Sequence, residues 1–432
     1  MSTRRSKRRQ EQGEESINSL GQLLEVDSIR ALLLNPVFFG LRGTWRLKLV
    51  SCEWKRFMDA IIDRFGSIEF FGGVPAAGMI VRDQYPAINT IARFHLRTME
   101  WSLNSMPLGR SCSTAGRFAN GDVIIAGGRF GSFEGNVENL RSSRTVMRRR
   151  GTTGDWVVRR NVLPHRLANA RSCTLNDGRL IVMGGEILNG QEPFSKEDQT
   201  VTAGVFAISE DLSCTTLAPM TKPRTNFASA KLPDGRVIVA GNGYYGLLPD
   251  GDSSAELYDP ETNTWSPITS MDLPNAHFGC LYRGNVLVFG DLIDGDEVNE
   301  ATGAISSNYI ATKVQRYDHK MDKWEFMPSM LGPRDECGLL EVAGDLIAVG
   351  GAFDNEMYET NGPGATLGIE LYDGSTNTWQ ALSKVPSLEN PRWVEEQEDM
   401  GSDDELERSS TCLPCPHVDC AQGCAIIFHS AI

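Results

Sequence analysis

Apolar runs of about four residues recur along the chain and end in one or two glycines. Four consecutive apolar residues do not alternate, so a strand built from them must be covered on both faces. Paired glycines suit a place where backbones approach closely and φ is positive. The period of roughly 50–60 residues is typical of a solenoid or a propeller. The strongest copies span 123–128, 180–185 and 346–351, and weaker ones span 70–73, 237–242 and 286–291.

A tight-turn signal precedes most of these apolar runs. Asn-Gly and Asp-Gly favour the primed turns that join two-residue hairpins. Each apolar run is therefore predicted to be the second strand of a hairpin. The turn signals are Asn120-Gly121, Asp177-Gly178, Asp234-Gly235, Gly284-Asn285 and Gly344-Asp345.

A second mark of the repeat is an aromatic pair with a spacing of seven residues. Polar turn residues separate the two partners, which predicts a second hairpin in each repeat. In one copy Arg149 replaces the aromatic partner of Trp156, and the copy near residues 206–214 has no tryptophan. The complete pairs are Phe94 and Trp101, Tyr258 and Trp265, Tyr317 and Trp324, and Tyr372 and Trp379.

The glycine pair, the Tyr–Trp pair and a following apolar-Pro step together resemble the Kelch repeat. The resemblance covers residues 66–432 and implies an all-β fold, a six-bladed Kelch-type β-propeller, with seven blades as the alternative. The apolar-Pro steps are Met106-Pro107, Leu163-Pro164, Met327-Pro328 and Val385-Pro386.

Six Tyr/Trp-type hairpins predict six blades, and the chain ends must then close the ring. Residues 409–429 are expected to supply the strands of the missing first hairpin. Ser67–Gly73 competes with them for the inner position of the closing blade.

Residues 16–65 do not follow the repeat and predict a short α-helical module. Their second half resembles the C-terminal half of an F-box, although the usual Leu-Pro opening is absent and Pro36 interrupts the first half. The resemblance implies docking on the adaptor of a cullin–RING (SCF-type) ubiquitin ligase, with the propeller holding the substrate. A helical cap on a Kelch scaffold unrelated to ubiquitin is the alternative. The residues assigned to the F-box fold or its docking surface are Leu47, Leu49, Val50, Trp54 and Phe57.

Charge is unevenly distributed along a chain whose net charge is −14. Residues 1–15 form a basic head and residues 394–408 an acidic stretch, and both are predicted to be solvated and disordered. The net charge disfavours nucleic acid as a partner. We expect no secretory leader and no membrane span, and hence a cytoplasmic or nuclear protein with reduced cysteines.

Recognition is expected on the propeller face that carries the connections after the second and fourth strands of each blade. A ring of basic residues there is predicted to bind an acidic or phosphorylated peptide, because guanidinium groups hold carboxylates and phosphates in bidentate fashion. The alternative is that these side chains brace neighbouring blades. The residues are Arg110, Arg166, Arg171, Arg224, His277, Arg334 and Arg392.

A second basic cluster lies on one outer hairpin, within residues 141–160. It is interpreted either as an edge guarded by charge against strand pairing, or as a docking patch for an acidic partner or the protein's own acidic stretch.

Catalysis, cofactors and metal sites are not predicted. Neither a phosphate-binding G-x-x-x-x-G-K nor a G-x-S-x-G motif occurs. A galactose-oxidase-like copper enzyme is the catalytic alternative, but the six histidines show no ligand spacing. A zinc site is the other alternative, and its candidate ligands are Cys412, Cys415, His417, Cys420 and Cys424.

Overall fold

A computed structural model describes the repeat region in segments. The described residues are 67–72, 89–95, 100–130, 133–134, 137–138, 141–188, 199–242, 252–273, 276, 278–298, 305–331, 338–342, 345–349, 369–374, 376–383 and 425–429. The predicted helical module, the basic head and the acidic stretch lie outside these ranges.

Every regular element in the described residues is a β-strand. The first sixteen strands are β1 Ser67–Phe71, β2 Thr90–His95, β3 Glu100–Ser105, β4 Thr114–Arg117, β5 Val123–Ala126, β6 Arg129–Phe130, β7 Phe133–Glu134, β8 Val137–Glu138, β9 Arg141–Ser142, β10 Val146–Arg149, β11 Trp156–Arg159, β12 Leu167–Ala168, β13 Arg171–Thr174, β14 Leu180–Met183, β15 Glu186–Leu188 and β16 Gln199–Val201. The remaining strands are β17 Val205–Ile208, β18 Cys214–Leu217, β19 Ala228–Lys231, β20 Val237–Ala240, β21 Ala255–Asp259, β22 Thr264–Ile268, β23 Phe278–Tyr282, β24 Asn285–Val298, β25 Ile305–Asp318, β26 Lys323–Met327, β27 Gly338–Val342, β28 Asp345–Val349, β29 Ile369–Asp373, β30 Thr378–Ser383 and β31 Ala425–His429.

The described strands include six four-stranded antiparallel sheets, each with the same order. From first to fourth strand they are β4-β5-β10-β11, β13-β14-β17-β18, β19-β20-β21-β22, β23-β24-β25-β26, β27-β28-β29-β30 and β31-β1-β2-β3. The first strands contact one another in cyclic order, from β4 through β13, β19, β23 and β27 to β31 and back to β4. The sheets therefore follow one another around a circle, which is the arrangement of a β-propeller.

The apolar runs are the second strands, as predicted, and are buried between neighbouring sheets. Leu180 and Val182 pack against Ile124 of the preceding sheet, whereas Ile181 packs against Val237 of the following one. Burying a Val, Leu or Ile side chain contributes about 1.5–3 kcal/mol relative to leaving it exposed. The hydrophobic core is thus divided among the sheet interfaces.

In four of the described sheets, the first glycine after the second strand lies against the connection that follows the fourth strand. Gly127 and Gly184 have φ of 65° and 61°. A Cβ at these positions would lie 2.5 Å from the Leu167 carbonyl oxygen and 2.4 Å from that of Arg224. Both the left-handed backbone and the absence of space therefore require glycine there.

Replacing Gly127 with alanine is expected to cost more than about 3 kcal/mol of stability, because it adds a clash with backbone to left-handed strain. Gly121 is the matched control, since it has φ of 88° and a Cβ there would meet nothing within 4 Å. Replacing Gly121 with alanine is expected to lower the stability only by the left-handed backbone strain, about 1–2 kcal/mol. Urea unfolding of both variants measures the difference, and equal losses would remove the close-approach explanation.

The turns between first and second strands differ from the prediction of two-residue primed turns in three of the described sheets. The first of them has three residues, because Phe118 accepts the Gly121 N–H and its own N–H donates to Asp122. Among the three loop residues, only Gly121 has positive φ. The Asn120 side chain accepts the Asp122 N–H, which holds Asn120 in a local turn without positive φ. The same arrangement recurs at Asp177-Gly178 and Asp234-Gly235.

The hairpin β23–β24 does have the predicted type of turn. Tyr282 pairs with Asn285, so the loop consists of Arg283 and Gly284, and both have positive φ. A two-residue loop with two left-handed residues is a type I′ turn.

The seven-residue spacing of the Tyr–Trp pair places both rings opposite each other in the second hairpin. The ring centroids of Tyr258 and Trp265 are 4.9 Å apart. The Tyr258 hydroxyl donates to Asn263, which occupies the left-handed position of the turn. The Trp265 indole N–H donates to the carbonyl of Ala218, just after the fourth strand of the preceding sheet. Trp324 and Trp379 bond to Thr269 and Pro328 in the same way, so the tryptophan joins consecutive sheets.

The closing sheet corrects the predicted role of the C-terminal segment. Within residues 409–429 the structure describes one strand, Ala425–His429, and it takes the first position of the sheet. The second strand is Ser67–Phe71, which pairs with both Ala425–His429 and Thr90–His95. Ser67–Phe71 therefore does not compete with Ala425–His429 for the first, inner position of the sheet. It carries the glycine-ended apolar run that belongs to a second strand.

Candidate functional site

Two sets of connections open on the same face of the ring, which we call the loop face. The short strand Leu167–Ala168 belongs to the connection after a fourth strand. It pairs with Glu186–Leu188, which follows the second strand of the next sheet. A connection after a second strand is thus bound to one after a fourth strand, so both kinds of connection lie on the face where recognition is predicted.

Arg224 has no exposed surface and braces the loop face from within. Its guanidinium donates to Glu256 at 2.8 Å, to the Gly241 carbonyl at 2.8 Å and to the Ser254 carbonyl at 3.0 Å. Asp252 lies 3.6 Å away. Burial disfavours the ionised form of Asp252, but hydrogen bonds from Ser254 and the charge of Arg224 outweigh it and lower the pKa of that carboxyl.

Arg110 is buried in the same way in the connection two sheets earlier around the circle. Its guanidinium donates to the Gly109 carbonyl at 2.7 Å and to the Ser143 hydroxyl at 3.2 Å, and it lies 5.2 Å from the centroid of the Phe130 ring. The observed geometry of Arg110 and Arg224 is that of the bracing alternative left open by the sequence.

Arg166 and Arg171 are only partly buried. Arg166 donates to the Ser142 carbonyl at 3.2 Å. Arg171 donates from Nε to the Phe227 carbonyl at 2.8 Å, and its guanidinium lies 4.8 Å from the centroid of the Phe278 ring. Phe278 belongs to the sheet two positions further around the circle, so Arg171 reaches across the inner strands. The cation–π contact and the hydrogen bond together fix the orientation of this guanidinium.

The predicted basic series does not occupy one structural position. The carbonyls of Arg110 and Arg224 face the glycines at 72 and 184, but the equivalent place is taken by Leu167 and Ala276 in two other sheets. Arg166 and His277 are adjacent in sequence to Leu167 and Ala276 and therefore do not occupy that position themselves. His277, Arg334 and Arg392 lie outside the described residues, as do Leu47, Leu49, Val50, Trp54 and Phe57.

Glu186 is a buried acceptor near the loop face that the sequence analysis missed. It accepts hydrogen bonds from Arg129 at 2.5 Å, Asn169 at 2.8 Å and Thr225 at 3.0 Å. These donors come from three different connections of two neighbouring sheets, so one carboxylate ties three parts of the loop face together. An acid directly after the Gly184-Gly185 pair was the signal available in the sequence.

A second missed pattern is a polar residue two positions before the aromatic residue of the third strand. Glu256 accepts the backbone N–H of Thr221 at 2.7 Å, and Gln315 accepts that of Asp272 at 3.1 Å. Glu370 accepts the N–H of Leu331 at 3.0 Å. Each side chain thereby holds the connection that follows the preceding sheet.

A buried ion-pair cluster joins the closing sheet to its neighbour and explains the arginine that replaces the tyrosine of the repeat. Glu69 has no exposed surface and accepts from Arg93 at 2.5 Å and from Arg149 at 2.6 Å. The Arg149 guanidinium lies 5.5 Å from the ring centroids of both Phe71 and Trp156. Glu69 occupies a position where other second strands have isoleucine or leucine, so the two departures from the repeat compensate each other.

The described cysteines show no metal-binding arrangement. Among the residues of the structure given above, no group of three or more His, Cys, Asp or Glu side chains could hold a metal ion. Burial raises the pKa of the Cys173 thiol to about 12. The Cys412–Cys424 cluster lies outside the described residues. No helix in the described part has the length and apolar character needed to cross a membrane.

The architecture and the braced loop face define a repeat propeller of the kind that presents recognition loops. The Kelch motif matches residues 232–272, which contain β20, β21 and β22. The solved structure of YjhT is similar with a TM-score of 0.53 at 14% identity, covering 73% of this chain and 97% of that one, which supports the fold.

Curated relatives match over part of their length. Kelch-like protein 36 of Bos taurus is 27% identical over 208 residues, covering 47% of this chain and 31% of the relative. An F-box/kelch-repeat protein of Arabidopsis thaliana is 26% identical over 232 residues, covering 53% of this chain and 54% of the relative. The chain thus spans less than two thirds of either relative. Together the matches support a Kelch-repeat protein-interaction module.

Proposed function

We propose that the chain is a six-bladed Kelch propeller that recognises a protein partner on its loop face. The observation that carries this proposal is the bracing of that face by Arg110, Arg224 and Glu186, each of which is buried and engaged with loop atoms. Loops held on a rigid scaffold are the usual location of recognition. Binding by a non-catalytic surface requires no cofactor.

The partner is proposed to be an acidic or phosphorylated peptide. Arg166 and Arg171 are the described arginines of the predicted ring that retain exposed surface. The Phe278 ring orients the guanidinium of Arg171, which reduces the entropy lost when it binds a carboxylate or phosphate. His277, Arg334 and Arg392 are proposed to extend this basic surface.

The module is further proposed to be the substrate-recognition subunit of an SCF-type ubiquitin ligase acting in the cytoplasm or nucleus. Residues 16–65 would bind the ligase adaptor through the F-box-like residues Leu47, Leu49, Val50, Trp54 and Phe57. The relatives with F-box/kelch-repeat names support this assignment.

Capture of the ligase adaptor by the full-length chain tests the ligase assignment. Trp54→Asp is expected to reduce the captured adaptor at least tenfold, because a carboxylate replaces an apolar residue of the proposed docking surface. The measurement is quantitative co-precipitation of purified adaptor and full-length chain.

Phe326→Asp provides the control for this capture. Phe326 is 53% exposed on the fourth strand Lys323–Met327, so its replacement removes an equally apolar aromatic group without disturbing the core. Capture should persist in this variant. Absence of adaptor with the unmodified chain would favour a Kelch scaffold unrelated to ubiquitin. Equal capture by both variants would show that Trp54 does not belong to an adaptor-docking surface.

A further inference from the structure

One outer hairpin carries a concentrated positive charge on an otherwise acidic protein. Residues 141–166 contain eight arginines and one acid, Asp155, whereas the whole chain has a net charge of −14. This excess of positive charge belongs to the sheet β4-β5-β10-β11, which lies next to the closing sheet.

Three of these arginines gather at the loop-face end of the hairpin, and we call them the rim arginines: Arg144, Arg159 and Arg160. Arg159 ends β11, is exposed and pairs with Val146. The Arg144 carbonyl accepts the N–H groups of Val162 and Leu163, which places Arg144 beside the residues that follow Arg160.

The neighbouring arginines of this hairpin are engaged differently. Arg148 is 3.8 Å from Asp122, and Arg149 is 2.6 Å from Glu69. Arg144 donates to the Leu163 carbonyl, but in the described part of the chain no ion pair joins Arg144 or Arg159 to a carboxylate. In the outer hairpin β25–β26, by contrast, Arg316 and Lys323 both contact Glu325.

The chain itself contains an acidic segment that can reach this surface. Residues 395–407 contain eight acids and no basic residue. They belong to the connection between β30, a fourth strand, and β31, the first strand of the closing sheet. Such connections open on the loop face. The seventeen residues between Glu407 and Ala425 could span up to ~60 Å, because an extended chain covers about 3.3 Å per residue.

We propose that the rim arginines bind the acidic segment 395–407 of the same chain. Charge complementarity favours this occupant, and both ends of the connection that contains it lie on the same face as the rim arginines. The contact is independent of the proposed ligase role, since it involves neither residues 16–65 nor a substrate.

The expected fraction of molecules in which residues 395–407 occupy the rim arginines follows from the fact that both belong to one chain. A short tether between two binding groups typically gives an effective concentration on the order of 1 mM. With an intrinsic Kd of ~0.1 mM, near the weak end of the affinity scale, about nine molecules in ten would have the surface occupied. A separate peptide of the same sequence would then bind the intact chain about tenfold more weakly than a chain whose own segment cannot compete.

The test uses a fluorescently labelled peptide of residues 393–409 and fluorescence anisotropy with the full-length chain. In one variant the eight acids of the segment become the corresponding amides. The peptide is expected to bind this variant about tenfold more tightly than the unmodified chain. Arg159→Glu with Arg160→Glu, introduced into the same variant, should abolish binding, and the affinity should fall as salt is raised.

Lys320→Glu with Lys323→Glu is the matched control, because it changes the same charge on exposed residues of another outer hairpin. It should leave peptide binding unchanged. Equal affinity of the peptide for the intact and amide chains would show that the segment does not occupy the surface. Binding that survives reversal of Arg159 and Arg160 would show that the rim arginines are not the site. Either result overturns the proposal.

Discussion

Replacing Arg224 with methionine is expected to lower the free energy of unfolding by about 3–5 kcal/mol. The substitution leaves Glu256 buried without its partner and removes the donor to the carbonyls of Gly241 and Ser254. Urea unfolding followed by tryptophan fluorescence measures the change.

Arg236→Met is the control for this loss. Arg236 forms an exposed ion pair with Asp234 at 2.7 Å, and such pairs contribute about 0–1 kcal/mol. If Arg224→Met leaves stability unchanged and instead weakens partner binding, Arg224 belongs to the binding surface and the bracing role is wrong.

Deleting residues 425–432 is expected to destabilise the whole propeller. The deletion removes the strand that pairs with all five residues of Ser67–Phe71 and that also contacts β4. At about 1 kcal/mol per net hydrogen bond, the lost pairing alone costs on the order of 5 kcal/mol. The exposed edge would also become a template for association with other chains. Size-exclusion chromatography and thermal unfolding should show association and a lower Tm.

Deleting only residues 430–432 is the matched control, because it leaves the strand Ala425–His429 complete. The chain that lacks only residues 430–432 should remain monodisperse with an unchanged Tm. If the chain that lacks residues 425–432 behaves in the same way, the closing sheet is stable without its first strand.

The sequence predicted the regular part of the fold well because the same physical constraint is repeated. A second strand wedged between sheets needs apolar residues on both faces, as at Val123–Ala126, and a glycine where it meets a carbonyl, as at Gly127. The Tyr–Trp spacing was also informative, since cross-strand pairing through a short turn fixes it.

Other features depend on contacts between distant residues and leave weak local signals. The turn at Asn120-Gly121 has three residues because a side-chain hydrogen bond competes with the primed turn. The assignment of Ser67–Phe71 to the second position depends on pairing with residues more than three hundred positions away.

The roles of the basic residues could not be assigned from their positions in sequence. Arg224 precedes the first strand Ala228–Lys231 and Arg171 begins the first strand Arg171–Thr174. Arg224 is enclosed by Glu256 and two carbonyls, whereas Arg171 retains exposed surface beside an aromatic ring. Burial, rather than residue type, distinguishes an arginine that braces the loops from an arginine that is exposed and could contact a partner.

The composition of the closing sheet has a consequence for synthesis on the ribosome. The strand that covers the free edge of Ser67–Phe71 is synthesised more than 350 residues later. At about 5–20 residues per second, the nascent chain waits for tens of seconds with this edge unprotected. A stalled or prematurely terminated product would keep the edge exposed indefinitely, so cellular quality control could distinguish it from a finished molecule by that feature alone.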